Sequence, residues 1–599
     1  MPQWTYDALG NLIGRQDPLG VLTTCEYQNP IHPTLQTAFT EPRGTRITFE
    51  YDARGNLLNV IGPLAVRIAY TYDDQDRLLS QYYNWGLYDR FQYDAAGNIV
   101  RFESPIASYD LTYTASGLPA SVLDGEGGLT RLEYDGALAK PSRIIAPDGS
   151  TDHFQYDAVG RLTQHTDAGG VTTRVEYDAQ GRIAKQIDAN GGVISLVYDG
   201  ALPNLPSRVT NRLNQVTLYT YDAMGRLMAL ETPRGSITHY EYDADGNRTA
   251  IIDPVTNRYE FAYDAMNRLV EETDPLGRMR VHSYDLAGNR TNTVDRLGRK
   301  RTFAYDALSR LAQELWFDPA GNGVVRTITY GYDRANRLNS ASDPDSSISL
   351  GWFGTTGGPL QFEEAGYSGM PVRRISYTYD GAGRRSRVDA RTGTYGAIRL
   401  DYVRDLAGRL RILTSSNPLP PATATNLAWQ LQLWLNARGD VAELRRFSDT
   451  SGNNRVSQTF ITNNEPCACN ITSIGHVITT NQPLPDADLA FTRNLDGVIT
   501  GLLDGTNNLA FSYDADARLT SVVRNGVLAE NYSYDVNGNR TTSHIHPVYD
   551  TGPANRVSRA GDWVLGYDFE GNLVNKSNTV SGEVITLTWD FRKIGRAHV

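Results

Sequence analysis

The chain has 599 residues and a formal net charge of −11 at pH 7. Without a stripe of Lys and Arg, this acidic balance argues against nucleic acid as a partner. The three cysteines, Cys25, Cys467 and Cys469, are too few for a disulfide framework. A membrane-spanning helix needs about 18 consecutive apolar residues, and no apolar run in the sequence is that long. We therefore expect no nucleic-acid partner and no membrane-spanning segment, and the cysteines leave the compartment open.

The first residues, Met1 to Ala8, lack the basic region and apolar core of a signal peptide. A repeat begins within five residues of Met1. This opening predicts a start inside a longer reading frame, with no export signal in the present sequence.

A Tyr-Asp pair recurs through the chain, most clearly with a period of 21 residues. The clearest copies are Tyr156-Asp157, Tyr177-Asp178, Tyr221-Asp222, Tyr242-Asp243, Tyr263-Asp264, Tyr284-Asp285 and Tyr305-Asp306. Another copy, Tyr198-Asp199, lies slightly out of phase, and similar copies start at Tyr6, Tyr51, Tyr72, Tyr93, Tyr134, Tyr332, Tyr379, Tyr513, Tyr534 and Tyr567. The chain is therefore predicted to be an array of one short unit.

The residues after each pair indicate a hairpin turn, because Asp bonds back to nearby backbone and Gly or Asn tolerates the left-handed conformation that closes the loop. The fourth turn position holds Gly160, Gly181, Gly225, Gly246 and Gly288, or Asn267 and Asn336. The exceptions, where the geometry is less certain, are Ser309, Ala517 and Asp76. An Arg often follows, as at Arg161, Arg182, Arg226, Arg268 and Arg310. These arginines should form a ladder that pairs with adjacent Asp or Glu or, less simply, binds acidic partners.

A second turn signal comes eleven residues after the Tyr, as in Asp17-Pro18-Leu19-Gly20, Asp253-Pro254, Asp274-Pro275-Leu276-Gly277 and the segment Asp295 to Gly298. The residues between the turns alternate as in half-buried strands, so each unit is two strands and two turns. At about 10.5 residues per strand the chain holds roughly 57 strands, and open sheets rarely exceed about ten strands without curling. We predict an all-β fold, a long antiparallel sheet of repeated β-hairpins coiled into a spiral, as a shell-like or hollow β-cocoon segment.

Two stretches lose the period. Residues 339 to 375 still fit if Trp352-Phe353 is a decayed Tyr-Asp pair, whereas residues 411–490 are a candidate insertion. The insertion holds Asn417-Pro418-Leu419-Pro420-Pro421, an apolar run from Leu427 to Leu435, and Cys467-Ala468-Cys469, although Leu435 to Val441 resembles another decayed turn. The predicted organisation is a repeat array over 1–410, an irregular or inserted segment over 411–490, and the array continued over 491–592.

The end of the sequence is also irregular. Trp589-Asp590-Phe591-Arg592 occupies the Tyr-Asp position, but its turn is not completed. Residues 593–599 are predicted to be a non-native tail, because Ile594 to Val599 looks like translated sequencing adapter. The alternative is a natural frayed terminus.

The sequence holds no metal-protease helix motif, phosphate-binding loop or nucleophile elbow. Cys467 with Cys469, and His544 with His546, are each too few ligands for a tetrahedral metal site. Asp243 to Asn247 resembles part of a calcium loop but lacks the distal Glu, so the turn interpretation is preferred. We predict no catalytic residue, no cofactor and no metal, and therefore no enzyme.

The repeated Tyr-Asp-x-x-Gly-Arg-Leu pattern and the Asp-Pro-x-Gly turn resemble the Rhs family of YD-repeat proteins, over about Tyr6 to Arg592. The resemblance implies a bacterial shell, similar to the Tc toxin cocoon or an Rhs polymorphic toxin, that encloses a C-terminal toxin effector. It also implies secretion or cell-surface location of the full-length protein. The core segment and effector of complete members are not found in the sequence, so it is expected to be a fragment.

Two functions remain open under this resemblance. One is a non-catalytic carrier whose partner is the toxin effector domain, with possible contacts to secretion machinery. The other is a cell-surface adhesion or carbohydrate-binding repeat protein that contacts glycans through rows of Tyr and Arg. A carrier needs a core segment and effector downstream, whereas an adhesin needs anchoring sequence.

Overall fold

The computed structural model describes residues 3–18, 20–41, 44–63, 66–83, 88–105, 107–136, 138–318, 321, 323–333, 336–353, 358–393, 395–416, 428–436, 438–453, 455–463, 471–478, 489–589 and 595–598. These ranges contain no α-helix, and a short 3-10 helix lies at Pro553–Asn555. Consecutive antiparallel strands joined by turns and loops make up the rest, which confirms the predicted all-β sheet of repeated hairpins.

The strands follow one another along the chain with short turns between them. The first are β1 Gln3–Tyr6, β2 Leu12–Gln16, β3 Leu22–Glu26, β4 Ala38–Thr40, β5 Arg46–Tyr51, β6 Leu57–Ile61, β7 Arg67–Tyr72, β8 Leu78–Tyr83, β9 Tyr88–Tyr93, β10 Ile99–Glu103, β11 Ser108–Tyr113, β12 Pro119–Asp124, β13 Leu129–Tyr134, β14 Pro141–Ile145, β15 Thr151–Tyr156, β16 Leu162–Thr166, β17 Thr172–Tyr177 and β18 Ile183–Ile187. The next are β19 Val193–Val197, β20 Arg208–Thr210, β21 Val216–Tyr221, β22 Leu227–Glu231, β23 Ile237–Tyr242, β24 Arg248–Ile252, β25 Arg258–Tyr263, β26 Leu269–Thr273, β27 Met279–Tyr284, β28 Arg290–Val294, β29 Lys300–Tyr305, β30 Leu311–Phe317, β31 Val324–Tyr332, β32 Leu338–Ser342, β33 Ser346–Trp352, β34 Leu360–Tyr367, β35 Met370–Tyr379 and β36 Arg385–Thr392. The last are β37 Tyr395–Arg404, β38 Leu410–Ser416, β39 Trp429–Leu435, β40 Val441–Phe447, β41 Arg455–Asn463, β42 Ile471–Ile478, β43 Leu489–Arg493, β44 Ile499–Asp504, β45 Asn507–Tyr513, β46 Leu519–Arg524, β47 Val527–Tyr534, β48 Arg540–Ser543, β49 Tyr549–Gly552, β50 Arg556–Ala560, β51 Trp563–Tyr567, β52 Leu573–Asn578, β53 Val584–Trp589 and β54 Gly595–His598.

Strands β1 to β48 belong to one sheet, and β49 to β54 form a second sheet of six strands. Each repeat contributes two kinds of hairpin. In the first kind, β17 pairs with β18, and a β-bulge shifts the register just before Tyr177, which lies opposite Ile183. In the second kind, β16 pairs with β17 without a shift, and Gln164 lies opposite Arg174. The regular alternation of these hairpins explains the 21-residue period of the sequence.

The chain divides into two compact units, each made of three stretches. Unit 1 contains residues 1–154, 283–292 and 301–458, and unit 2 contains residues 155–282, 293–300 and 459–599. Each unit therefore combines an early part of the array with a later part. This combination brings together turns that are distant in sequence.

Several strands alternate between a half-buried face and an exposed face, whereas others, such as β14 and β26, are half-buried along their whole length. In β25 the rings of Tyr259, Phe261 and Tyr263 are half-buried, whereas Arg258 and Glu260 on the other face are exposed. Alternation of this kind follows from the two-residue period of a β-strand. Few side chains are fully buried in the described residues, so the hydrogen bonds between strands and the contacts within turns contribute much of the stability of the fold.

The irregular stretch 411–490 contributes strands as well. Strands β39 and β40 pair across a turn that starts at Asn436, where the decayed turn was predicted, and β42 pairs with β43. The run Asn417 to Pro421, and both Cys467 and Cys469, lie outside the described residues. The domain boundaries at 410 and 490 stay a prediction.

Candidate functional site

The Tyr-Asp turn is a five-residue loop that starts at the Asp and ends at the Arg or Asn. In the turn at Asp157, the backbone N–H of Gly160 donates to the Asp157 carbonyl at 2.9 Å. The Asp157 Oδ1 atom accepts the backbone N–H groups of Val159 at 3.1 Å and Arg161 at 2.9 Å. These donors, with the Arg161 guanidinium, hold the pKa of Asp157 below its ordinary value despite partial desolvation. The chemistry that the copies of the loop share is thus an Asp whose carboxylate accepts the backbone N–H groups around it.

The fourth turn position is left-handed wherever the sequence predicted it. Gly160, Gly181, Gly225, Gly246 and Gly288 have φ between 82° and 92°. The same conformation occurs at Asn267, Asn336, Ser309, Ala517 and Asp76, with φ between 58° and 66°. The exceptions in sequence are therefore not exceptions in structure, because the hairpin imposes the backbone conformation on whichever residue occupies the position.

Each turn arginine pairs with the Asp of its own turn. The closest distances between the guanidinium nitrogens and Oδ2 are 2.6 Å for Arg161–Asp157, Arg182–Asp178, Arg226–Asp222 and Arg310–Asp306 and 2.7 Å for Arg268–Asp264. This confirms the simpler of the two interpretations of the Arg rows, in which they pair with nearby carboxylates.

The same arginines also connect one repeat to the next, which the sequence interpretation missed. The Arg161 guanidinium lies 4.5 Å from the centre of the Tyr177 ring, and the Tyr177 hydroxyl donates to the Leu162 carbonyl at 2.8 Å. Equivalent stacked pairs are Arg77–Tyr93, Arg182–Tyr198, Arg226–Tyr242, Arg310–Tyr332 and Arg518–Tyr534. The signal was present in the sequence, since in most copies the Arg precedes the next Tyr by the same interval of 16 residues.

The predicted Tyr residues share this position in the fold. Tyr156, Tyr177, Tyr221, Tyr242, Tyr263, Tyr284 and Tyr305 each end a strand, and the Asp that follows each one begins a turn. Burial raises the pKa of Tyr221, Tyr263 and Tyr305. The hydroxyls of these three donate to the carbonyls of Pro206, Arg248 and Arg290. The Tyr is thus a strap that ties each hairpin to the one before it.

Irregular copies keep the same strap. Tyr198 donates to the Ile183 carbonyl at 3.0 Å although Asp199 bonds Ser207 instead of closing a tight turn. Trp352 replaces the Tyr, donates from Nε1 to the Leu338 carbonyl at 3.0 Å, and lies under the guanidinium of Arg337. The prediction that Trp352 occupies a Tyr position is confirmed.

The candidate metal groups have other contacts. His544 packs edge-on against Tyr532 and His546 against Tyr549, with ring centres 5.5 and 5.6 Å apart. Asp243 accepts both the backbone and the side-chain N–H of Asn247, as in other turns. Within the described ranges, no group of three or more His, Cys, Asp or Glu side chains is placed to hold a metal ion.

A buried cluster in unit 2 has the hydrogen-bond arrangement of a catalytic triad, but its hydroxyl group is not accessible to a substrate. His282 Nδ1 lies 3.0 Å from Thr293 Oγ1, and His282 Nε2 lies 3.4 Å from Glu272 Oε1. Thr293 is 2% exposed and His282 is 6% exposed, so no substrate reaches the hydroxyl. A nucleophile needs a site next to it where the reacting atom can sit.

Within each unit, second turns of the early stretch contact Tyr-Asp turns of a later stretch, and we call these contacts the seam. In unit 2, Asn211 donates to Asp496 at 2.8 Å, Arg234 to Asp514 at 2.9 Å, Ser236 to the Val536 carbonyl at 2.7 Å, and Asn537 to Asp253 at 2.7 Å. The partners are 280 to 300 residues apart. The seam therefore joins stretches that the ladder keeps far apart.

Unit 1 has the same kind of seam. Thr45 Oγ1 donates to the Ala307 carbonyl at 2.7 Å, across 262 residues. At the turn before β13, a Cβ on Gly128 would lie 2.5 Å from the Leu406 carbonyl oxygen. Side chains do not fit at that distance, so Gly128 is required by close backbone approach and not by turn geometry.

Unit 1 also holds an open cavity of about 500 Å³. It is lined in part by the rings of Tyr88, Phe353 and Tyr379 and by the charged side chains of Arg101 and Glu103. The rings of Phe353 and Tyr379 meet edge-on at 5.7 Å, and the Tyr88 hydroxyl lies 3.4 Å from Glu103 Oε1. Flat aromatic surface beside charged hydrogen-bonding groups suits a small polar ligand.

Comparison with known proteins gives the following matches. The RHS Repeat family model matches residues 51–86, 140–172, 156–193, 204–237, 227–258, 242–279 and 284–315, and the Teneurin YD-shell model matches residues 491–584. The Double-stranded DNA deaminase toxin A of Burkholderia cenocepacia (strain H111) is 30% identical over 147 residues, which cover 24% of this chain and 10% of that protein.

Solved structures are similar over most of the chain at low identity. The crystal structure of TcdB2-TccC3-Cdc42 covers 97% of this chain and 32% of its own chain, at 12% identity and a TM-score of 0.41. The crystal structure of TcdB2-TccC3 covers 97% and 33%, at 13% identity and a TM-score of 0.37. The chain thus spans about a third of these structures and a tenth of the toxin.

Proposed function

We propose that this protein, a chain of RHS repeats with a YD-shell segment, is a wall of a shell that carries a toxin effector within a longer polypeptide. The family models confirm the resemblance to Rhs proteins that the sequence predicted. A relative that is 30% identical to the chain over 147 residues is a toxin by name, which supports a toxin-carrying role here too. The full-length protein would then be secreted or exposed at the cell surface.

The observation that carries this proposal is the pair of connections in each unit. The antiparallel ladder joins neighbouring repeats, and the seam joins stretches 255 residues or more apart. A barrier to large molecules needs both, because a ladder alone leaves long gaps between successive passes of a ribbon. The seam at Gly128 brings backbone against backbone, which supports a closed surface there.

We infer a non-catalytic role for the chain itself. The described acidic side chains of the Tyr-Asp turns are occupied by their own loops, and the buried Thr293 hydroxyl next to His282 has no open space for a substrate. The part of the chain that the structure describes contains no helical segment with the length and hydropathy of a membrane span. The partner we propose is the effector segment of the same polypeptide.

Protease protection of the full-length polypeptide tests the proposal. The effector segment should resist a protease concentration that digests the same segment expressed alone. Gly128→Val should increase its cleavage by opening the seam, whereas Gly127→Asn should not, because a Cβ on Gly127 meets no atom within 4 Å. Equal cleavage of the enclosed and the isolated segment would rule out the carrier role.

The cavity in unit 1 favours a second candidate function, binding of a cell-surface glycan. Sugar rings stack on aromatic side chains, and their hydroxyls bond to charged groups such as Arg101 and Glu103. Titration of the purified chain with oligosaccharides, followed by calorimetry, tests this function, and Tyr88→Ala should weaken any binding at the cavity. Binding that is unchanged in that variant would place the glycan elsewhere.

A further inference from the structure

The backbone ladder is interrupted between β48 and β49. Strand β48 ends at Ser543 in the large sheet, and β49 begins at Tyr549 in the six-stranded sheet. In between, the chain makes a local turn in which the Ser543 backbone N–H donates to the His546 carbonyl at 2.8 Å. Ile545 in this turn and Val548 after it are 68% and 49% exposed. The joint therefore lacks a backbone ladder and is held by side-chain contacts, such as that of Ser543 Oγ with the Tyr549 hydroxyl at 3.0 Å and that of the His546 ring with the Tyr549 ring. We call the described residues 549–589 beyond it the terminal sheet.

Polar side chains of unit 2 hold the terminal sheet to the early repeats. Asn555 donates to Asp253 Oδ2 at 3.0 Å. Glu570, in the Tyr-Asp turn after β51, accepts from the Arg280 guanidinium at 2.5 Å and from the Arg296 backbone N–H at 2.6 Å. The seam replaces the missing ladder at this place.

The contacts of Glu570 belong to a larger group of charges, which we call the Glu570 cluster. It consists of Glu272, Asp274, Arg278, Arg280, Arg296, Arg556, Asp568 and Glu570. Four members are acidic and four are basic, so the charges balance. The side chain of Glu570 is 3% exposed, and that of Asp274 is 5% exposed.

Asp274 is the second centre of the cluster. Its Oδ2 atom lies 2.7 Å from the Arg278 guanidinium, 3.8 Å from that of Arg556 and 3.9 Å from that of Arg296. The ring of Phe569 lies 5.6 Å from the Arg278 guanidinium. Arg556 comes from the terminal sheet, whereas the other arginines come from the early repeats. The cluster thus interleaves charges from both sides of the joint.

We infer that the terminal sheet is a flap, hinged at His544 to Val548, and that the Glu570 cluster is the latch that holds it closed. Removing one member of a buried, balanced ion group leaves its partners uncompensated in a poorly solvated site. The uncompensated charge destabilises only the closed state, because the remaining charges are solvated by water when the flap opens. Loss of Glu570 therefore opens the flap without loosening the ladder of the large sheet.

Acid should open the same latch. Burial on its own would raise the pKa of Glu570, but the Arg296 backbone N–H and the Arg280 guanidinium outweigh it and leave the pKa below its ordinary value. The balance is the same at Asp274, where Arg278 outweighs burial. A lowered pKa means that the stabilisation is present above the ordinary value near 4.5 and is lost as the pH falls through the lower, folded value.

Other titratable groups face the cluster. His282 lies 3.4 Å from Glu272, so protonation of the imidazole adds a cation that Glu272 partly compensates. Tyr259 also faces the cluster, and burial, with Asp253 and Asp274, raises its pKa. Neither group reverses the expected direction, because Tyr259 stays neutral in acid and a protonated His282 adds to the excess of positive charge once Glu570 is neutral.

Hydrogen exchange on the purified chain at pH 7 tests the latch. Glu570→Gln should speed exchange of the slow amides in β50 to β53 at least tenfold and leave those in β16 to β19 unchanged. The matched control is Glu241→Gln, which removes the exposed 2.7 Å pair with Arg258 in the large sheet and should not affect the terminal sheet. Equal acceleration in both sheets, or none in the terminal sheet, would overturn the inference.

A measurement on the unaltered chain covers the case in which Glu570→Gln does not fold. The ratio of protection in β50 to β53 to that in β16 to β19 should fall by tenfold or more between pH 7 and pH 3, because a ratio cancels the intrinsic pH dependence of exchange. A constant ratio would show that the cluster does not control the terminal sheet. Neither result depends on what the shell carries.

Discussion

The glycine at the fourth position of a Tyr-Asp turn has a second role at Gly181. A Cβ placed there would lie 2.7 Å from Arg161 Nη1, so any side chain displaces the guanidinium from its place 4.5 Å from the Tyr177 ring. Asn tolerates the left-handed backbone, so Gly181→Asn isolates this effect from turn strain. Because a cation–π contact at an exposed site is worth about 0.5–1 kcal/mol, Gly181→Asn should cost about that much more than Gly246→Asn. Gly246 is the matched control, with φ +92° and no atom within 4 Å of its Cβ.

Native-state hydrogen exchange measures the difference locally. The free energy of opening for amides in β16 to β18 should fall by about 0.5–1 kcal/mol more in Gly181→Asn than that of the corresponding amides in Gly246→Asn, a factor of about two to five in rate. In an Arg161→Ala background the two substitutions should become equal. If the difference persists without Arg161, or is absent with it, the cross-repeat role of the arginine is wrong.

Three further outcomes are expected. Thr256→Gly should stabilise its hairpin by about 0.5–1 kcal/mol, because Thr256 is a β-branched residue at φ +69°. Asn267→Gly should change the stability of its hairpin little, because Asn tolerates the left-handed conformation. Hydrogen exchange in the strands next to each turn compares the two variants. Tyr242→Phe should cost about 1 kcal/mol in local opening because it removes the 3.0 Å bond to the Leu227 carbonyl while keeping the ring, and an unchanged rate would contradict the strap. Burial tends to raise the pKa of Asp253, but amide donors outweigh it and lower the pKa below the ordinary value of 3.8. The seam at this residue should therefore be fully formed above pH 3.8 and weaken as the pH falls through the lower, folded pKa. Hydrogen exchange at this turn, measured over a series of pH values, would detect the change.

The repeat and its turns could be predicted from the sequence because their determinants are local. A five-residue loop carries its own Asp and its own left-handed position, so Gly160 and Asn267 are recognisable without any partner. The structure extends this rule to Ser309 and Ala517, whose residue types disfavour the conformation, because two paired strands leave the loop no alternative.

The seam could not be predicted from the sequence. Because every repeat follows the same 21-residue pattern, the pattern does not indicate which repeats contact each other across the seam. The contact between Asp253 and Asn537 spans 284 residues and depends on how far each hairpin rotates relative to the last, which is a sum of small twists. Glu570 likewise resembles any variable turn residue until Arg280 and Arg296 are placed beside it.

The pairing of Asn211 with Asp496 and of Asp253 with Asn537 also fixes the amount of chain between the partners. Duplication of a single unit inside that interval would keep every hairpin sound, yet Asp253 would then face a neighbouring loop with different donors. Such a duplication would leave the local geometry of every turn intact but would displace the partners of the seam. Evolution of this protein should therefore tolerate changes in repeat number outside these intervals more readily than within them.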